Sequence, residues 1–125
     1  MLLARCSIAM LIGVLPSLSH ATDRRDAELE LAQAATAVQS AERSDAGAYA
    51  SADMNTAHEM LAAAQGAFDR GAWTESAMNS EKAKVDGDLA DARSRQQRAT
   101  TATREIEASV RDLRAQLGLP PGDAP

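Results

Sequence analysis

Apolar residues recur at helical spacing through the first half of the chain. Between about Asp26 and Ser44, and again up to about Arg70, they are separated by steps of four and three, which places them on one face of a helix. Gly71, directly after the second stretch, fits the left-handed position that ends many helices. The faces predicted to be buried are Ala27, Leu31, Ala34, Val38 and Ala41 in the first helix, and Met54, Ala57, Leu61, Ala64 and Phe68 in the second.

The segments between these helices carry residues typical of turns and helix caps. Residues 45–50 are predicted to form a connection. Ser51 is then predicted to cap the second helix, because a serine side chain can accept a hydrogen bond from a free backbone N–H. Thr74 is predicted to cap a third helix in the same way. Trp73, just before it, is expected to pack on Met78 as a hydrophobic staple.

The third helix has the longest apolar pattern. Steps of four and three continue from Val85 to Leu117, as in the seam of a coiled coil, before Gly118 and Pro120 end the helix. Gln96 and Thr103 weaken the middle of this seam. Its members are Val85, Leu89, Ala92, Gln96, Ala99, Thr103, Ile106, Val110, Leu113 and Leu117.

Together these patterns predict an all-α fold. Alanine, the strongest helix former, dominates the apolar residues, and no proline occurs between Pro16 and Pro120. Helices of roughly 18 to 20 residues would span about 27–30 Å, whereas a third helix of about 44 residues would reach about 65 Å. We therefore expect an antiparallel three-helix hairpin bundle over residues 22–95. The long third helix would extend from it as a coiled-coil-like arm over residues 96–117, followed by a disordered tail at 118–125.

The arm carries the candidate interaction site. Ile106, Val110, Leu113 and Leu117 would form an apolar stripe on a lone helix, and soluble proteins rarely leave such a stripe uncovered. Either the chain bends near residues 96–103 and folds the arm back, or another molecule covers the stripe. We favour the second arrangement, as a weak homo-oligomer or as contact with another helical envelope protein.

The first 21 residues have the features of a cleavable secretory signal. Arg5 supplies positive charge, residues 8–15 form a short apolar run, and small residues stand at the minus-three and minus-one positions before Thr22. A membrane-spanning helix needs roughly 20 apolar residues, so we expect no stable membrane anchor and a periplasmic location. Cys6, the only cysteine, lies inside the signal, which leaves the mature chain without a thiol.

Charge argues against nucleic acid as a partner. Residues 22–125 carry 12 Lys and Arg against 18 Asp and Glu, a net charge of −6, whereas nucleic-acid binding depends on neutralising phosphates. The excess is uneven, since residues 93–125 have a net charge of +2. The arginines of that segment could contact an anionic envelope polymer, but the acidic residues among them favour a solvated helix exterior.

The order of alanine-rich motifs along the chain carries a family resemblance. These motifs are Tyr49-Ala50-Ser51, Ala57-His58-Glu59-Met60-Leu61-Ala62-Ala63-Ala64, Phe68-Asp69-Arg70-Gly71-Ala72-Trp73 and Leu89-Ala90-Asp91-Ala92. Over about residues 26–95 the chain resembles the bacterial envelope family numbered 4398 among the domains of unknown function. The resemblance implies export and a helical fold, and it implies no assigned activity. Some family members precede a peptidoglycan-binding domain, and many carry a lipidated cysteine that this chain lacks.

The search for reactive groups predicts no enzyme, no metal site and no cofactor. His58 is the only histidine after residue 21, whereas a zinc-protease helix would need a second one at position 62. Asp86, Asp88 and Asp91 are too few and too poorly spaced for a calcium loop.

Two functions remain open at this point. The first is a non-catalytic structural or adaptor protein of the cell envelope, acting through its arm. The alternative is a periplasmic binding or holdase-like protein that holds a peptide or lipid in a helical groove. A long exposed groove rich in aromatic or methionine side chains would favour the alternative.

The signal assignment leads to a direct test. We expect N-terminal sequencing of the protein recovered from the envelope of an expressing bacterium to begin at Thr22, because cleavage after Ala21 removes the apolar run. Recovery of a chain that still begins at Met1 would contradict cleavage and would favour a retained N-terminal anchor.

Overall fold

A computed structural model of the chain describes residues 22–120, and this range is helical almost throughout. Its four helices are α1 (Arg24–Arg43), α2 (Ala46–Tyr49), α3 (Ser51–Asp69) and α4 (Trp73–Gln116). No strand occurs in this range, which confirms the all-α prediction. The predicted signal at 1–21 and the last part of the predicted tail, 121–125, lie outside the described residues.

Helix α4 packs against both α1 and α3, which contact each other much less. It runs antiparallel to α3, because Ser76 near its start bonds to Ala64 and Arg93 further along pairs with Asp53. It runs parallel to α1, since Gly87 lies against Ala37 and Val38 and Ser94, further along α4, bonds to Ser44 at the end of α1. The last buried residue of α4 is Ser94, so the rest of this helix extends beyond the packed region.

The connection between α1 and α3 differs from the predicted loop, because it contains the short helix α2. Asp45 adopts a left-handed backbone (φ 63°), a conformation that aspartate tolerates better than most residues, and this reverses the chain directly after α1. Ser51 is not the cap that the sequence predicts. It is the first residue of α3, and the preceding Ala50 makes no side-chain capping bond.

The turn between α3 and α4 confirms one prediction and corrects another. Gly71 has the expected left-handed backbone (φ 75°). Its N–H and that of Ala72 bond back to α3, which satisfies carbonyls that the helix end leaves free. However, α4 begins at Trp73, so the predicted Thr74 cap is wrong. As the first helical residue, Trp73 lies edge-on to Phe68, with ring centroids 5.1 Å apart, and does not precede the cap as a staple to Met78 requires.

The core consists mainly of alanine, as the sequence predicts. The expected faces of the first two long helices point inward. Ala27, Ala34, Val38 and Ala41 of α1 and Met54, Ala57 and Ala64 of α3 are buried, whereas Leu31, Leu61 and Phe68 are half-buried. Such small side chains bury little apolar area, so the helices must approach closely to exclude water.

The buried face of α4 is not the one that the apolar seam predicts. Its buried residues also follow steps of four and three. Each of them lies two residues before a position of the predicted seam, or before a position that continues the spacing of the seam toward the start of the helix. They are Ser76, Ser80, Ala83, Gly87, Ala90 and Ser94. Two residues correspond to about 200° around a helix, so the predicted seam faces away from α1 and α3. Val85 (58% exposed) and Leu89 (38% exposed) therefore lie on the outer side of α4.

Close backbone contact explains why small residues occupy the inner face. A Cβ atom on Gly87 would lie 3.1 Å from the Ala37 carbonyl carbon and 3.1 Å from the Val38 nitrogen. Both are backbone atoms of α1, which cannot turn aside as a flexible side chain can. A valine or leucine at this position would therefore push the two helices apart.

Serine hydroxyls add hydrogen bonds to this packing. Ser76 donates to the carbonyl of Ala64 in α3 at 2.9 Å, and Ser94 donates to the carbonyl of Ser44 at the end of α1. The buried hydroxyl of Ser80 has no hydrogen-bond partner among the described residues. Two of the three serines thus fasten α4 to its neighbours at opposite ends of the packed region.

Ion pairs surround the point where α4 leaves this region. Arg93 binds Asp53 of α3 at 2.6 Å, and Arg98 lies 3.7 Å from Asp45 in the connection. Asp91 has a pKa below its ordinary value, chiefly because of the polar side chain of Ser44 beside it and also because of nearby Arg95. These contacts tie this part of α4 to the end of α1 and to the start of α3.

The close approach at Gly87 predicts a specific loss of stability. Gly87→Val should lower the free energy of unfolding by about 1–3 kcal/mol, the usual cost of overpacking a core. Gly47→Val is the matched control, since a Cβ on Gly47 has no atom within 4 Å. Urea denaturation followed by circular dichroism measures both variants. Equal stability of the two would contradict the close contact between α4 and α1.

The depressed pKa of Asp91 predicts a pH dependence. The carboxylate stabilises the fold above its unfolded pKa of about 3.9, and this contribution is lost as the pH falls through the lower folded value. Asp91→Asn should therefore be less stable than the unchanged protein at pH 7, and the gap should close in strong acid. Asp112→Asn, an exposed site on the arm, provides the control. A gap for Asp91→Asn that is the same at both pH values would exclude this role.

Candidate interaction surface

The outward face of α4 carries a row of exposed large apolar side chains along most of its length. We call this row the outer seam. It consists of Met78, Val85, Leu89, Ile106, Val110, Leu113 and Leu117. Between Leu89 and Ile106 the same face carries smaller or polar residues at Ala92, Gln96, Ala99 and Thr103.

The four predicted interaction residues lie in the outer part of this seam. Ile106 is 65% exposed, Val110 44%, Leu113 57% and Leu117 72%. They follow one another along one side of the helix, beyond the packed region. The structure brings them into one continuous stripe but places no other described element over them.

Helix α4 is uninterrupted through residues 96–103, so the chain does not bend there and the fold-back arrangement is absent. The threonines that lower helix propensity in this stretch are accommodated by local hydrogen bonds. The hydroxyls of Thr100 and Thr103 donate to the carbonyls of Gln96 and Ala99, each at 3.0 Å. A straight helix therefore carries the stripe away from α1 and α3.

Charged residues border the outer seam on the side that faces α3. Asp86, Arg93, Glu107 and Arg114 each follow a seam position by one residue. Of these four, Arg93 alone takes part in an ion pair within the described residues, the one with Asp53. The sequence prediction treated these charges as general solvation. Their spacing of seven or fourteen residues places them along one edge of the seam.

Half of the arginines proposed as contacts for an anionic polymer are already engaged. Arg93, Arg95 and Arg98 pair with Asp53, Asp91 and Asp45 respectively. The remaining three, Arg104, Arg111 and Arg114, are spread along the arm among acidic residues. The structure therefore gathers no dense basic patch in residues 22–120.

An open groove of about 600 Å³ lies between α1 and the start of α4. Its lining is mostly polar or charged, with Leu29 and Met78 as its large apolar side chains. The lining residues are Thr22, Asp26, Leu29, Glu30, Gln33, Thr74, Ala77, Met78, Glu81 and Lys84. Ligand sites usually have mainly apolar walls, which this groove lacks.

The residues considered for chemistry or ligand binding remain dispersed. His58 is exposed and lies 3.4 Å from Glu42, and no cluster of metal-ligating side chains occurs in residues 22–120. Phe68 and Trp73 pack together at the α3–α4 turn, whereas Tyr49 lies exposed in α2. Phe68 and Trp73 thus pack at one end of the helices, and none of the three aromatics lines the groove between α1 and α4. None of the helices in the described range has the length and apolar character that a membrane span needs.

Comparison with known protein families gives a match over much of the chain. Residues 29–106, more than half of the chain, match the family described as Domain of unknown function (DUF4398). No curated protein and no solved structure matches significantly. The matched segment continues past Ser94 and ends at Ile106, so it includes the first part of the extended helix as well as the packed region. The chain therefore belongs to the family defined by the Domain of unknown function DUF4398.

Proposed function

We propose that this protein is a non-catalytic structural or adaptor protein of the bacterial cell envelope that acts through helix–helix contacts. The observation that carries the proposal is the exposed apolar stripe Ile106, Val110, Leu113 and Leu117 on an uninterrupted helix. In this proposal residues 22–95 form a head, built as a three-helix hairpin with α2 in its connection. Residues 96–117 form an arm that the head holds in place.

The geometry of the arm supports this division of roles. After Ser94 the helix continues to Gln116, a length of about 33 Å at 1.5 Å per residue. A lone helix of this length is only marginally stable in water, and its apolar side would be solvated. A second helix placed along the stripe would bury these side chains and stabilise the arm, so a binding partner accounts for its pattern.

A second copy of this chain is the partner that the pattern fits best. The stripe follows the four-and-three spacing by which two helices interdigitate as a coiled coil. Few large side chains contribute, so the association should be weak and should depend on concentration. Another helical envelope protein with the same spacing could use the same surface.

The envelope location rests on the amino-terminal pattern. Residues 1–21 have the charge, the apolar run and the small residues of an exported leader. In the periplasm a protein without cysteine in its mature part would be indifferent to the oxidising environment.

The ligand-holding alternative has less support. A holdase needs a long apolar surface that is concave enough to enclose a peptide or lipid, whereas the groove between α1 and α4 offers only Leu29 and Met78 as large apolar contacts. We therefore prefer the helix–helix function.

Self-association through the stripe predicts a clear effect of substitution. Val110→Asp combined with Leu113→Asp should make the protein monomeric, because burying two carboxylates between helices is costly. Sedimentation equilibrium over a range of concentrations measures the change, and circular dichroism reports whether the head stays folded.

The control is Ala108→Asp combined with Ala115→Asp, which adds the same charge on the opposite side of the arm and should leave association intact. If the unmodified protein is already monomeric at high concentration, self-association is wrong.

A further inference from the structure

We propose that two copies bind antiparallel along the outer seam, so that the arm of each copy covers the outer face of the other's head. In this arrangement Leu113 packs against Leu89 of the second copy, and Leu117 packs against its Val85. The inference rests on the proposed self-association and deepens it by giving direction and register. It assigns a binding role to Val85 and Leu89 on the outer face of the head. Self-association through the arm stripe alone would not involve these two residues.

The first support is the distribution of large side chains along the seam. Val85 and Leu89 are exposed at the head end, and Leu113 and Leu117 are exposed at the arm end. The middle is small or polar. Antiparallel pairing with Leu113 opposite Leu89 places Leu on Leu and Leu117 on Val85 at both ends, and it places Val110 on Ala92 and Ile106 on Gln96 between them. The small residues Ala99 and Thr103 then meet in the centre, where they allow the two helices to approach closely.

Parallel pairing would place the large apolar side chains on one another equally well, so the charges beside the seam decide the direction. Each seam residue would face the same residue of the second copy. Gln96 would therefore meet Gln96, and Thr103 would meet Thr103, between the two helices. Residues five apart on either side of the seam adjoin in parallel coiled coils, so Glu81 would border Asp86 of the second copy, and Asp88 would border Arg93 as the single favourable pair. Parallel pairing would also place the two heads side by side, because Val85 and Leu89 of both copies would be in contact.

The second support is charge complementarity beside the seam. In an antiparallel pair, the residues that directly follow alternate seam positions, here Val85, Ala92, Ile106 and Leu113, face their counterparts on the other chain. With Leu113 opposite Leu89, Arg114 faces Asp86 and Glu107 faces Arg93. Twofold symmetry repeats each pair, so all four of these charged residues meet an opposite charge on the second copy.

The same charges exclude neighbouring registers. A shift of one heptad in one direction would place Asp86 opposite Glu107, and a shift in the other would place Arg93 opposite Arg114. Both juxtapositions oppose like charges. The first shift would also place Lys82 in the apolar layer against Leu113.

The charged groups are available for these contacts. Asp86, Glu107 and Arg114 form no ion pair within residues 22–120. Arg93 binds Asp53, but both hydrogen bonds come from the same nitrogen, Nη1. A guanidinium has five N–H donors, so Arg93 can also bind a carboxylate of a second copy.

Cysteine cross-linking tests the direction and the register. All variants use the full chain with Cys6→Ala, so that each introduced cysteine is the only thiol. A mixture of the Leu89→Cys and Leu113→Cys variants should form a disulfide-linked dimer on mild oxidation, whereas neither variant alone should do so. Leu89→Cys mixed with Ile106→Cys is the register control and should remain unlinked.

Charge exchange provides an independent measurement. Arg114→Glu should weaken dimerisation roughly tenfold, since symmetry replaces two exposed ion pairs with two repulsions. Adding Asp86→Arg to the same chain should restore the affinity. Arg111→Glu changes the charge equally but lies off the seam, so it should have little effect.

The outcomes separate this proposal from the function that it rests on. Cross-linking of Leu113→Cys alone would show parallel arms, and cross-linking of Leu89→Cys with Ile106→Cys would show a shifted register. The first result overturns the antiparallel direction and the second the proposed register, and a dimer by sedimentation that gives no Leu89–Leu113 link overturns the arrangement as a whole, while self-association stands. A protein that stays monomeric at high concentration would overturn both.

Discussion

The close approach of α4 to α1 is the constraint on which the rest of the structure depends. At Gly87 the two backbones are so near that a single Cβ atom would lie 3.1 Å from α1. Alanine helices bury little area per residue, so they exclude water only when they pack this closely. The requirement for small residues therefore extends along the whole inner face of α4, from Ser76 to Ser94.

Because of this requirement, the larger apolar side chains of α4 lie on its outer face. Val85 and Leu89 cannot fit between the helices, and they occupy the opposite face, in line with Ile106 and the stripe beyond it. The head and the arm thus share one outer surface on one helix. The proposed association through this surface follows from the way the core is packed, because the residues that the core excludes are those left for a partner.

How much could be predicted from the sequence depended on how the apolar pattern relates to burial. For α1 and α3 a single apolar face exists, and residues such as Val38 and Met54 were predicted correctly. Helix α4 has two faces with the same four-and-three spacing, one with small side chains and one with large apolar side chains. The sequence indicated the seam of larger side chains but not that the seam lies outside the core, since hydrophobicity alone does not report how closely helices approach. The two cap predictions were also wrong. Asp45 and Gly71 reverse the chain through their left-handed backbone conformations, and neither Ser51 nor Thr74 acts as a cap.

The most direct test of this account compares thiol reactivity on the two faces of α4. Ser80→Cys and Val85→Cys, each in the full chain with Cys6→Ala, would be labelled with a thiol reagent at a concentration low enough to keep the protein monomeric. We expect the Val85→Cys thiol to react at nearly the rate of a free thiol and the Ser80→Cys thiol to be strongly protected, because Ser80 is fully buried and Val85 is 58% exposed. Fast labelling at 80 with protection at 85 would show that the large apolar face is the buried one, and it would contradict the account.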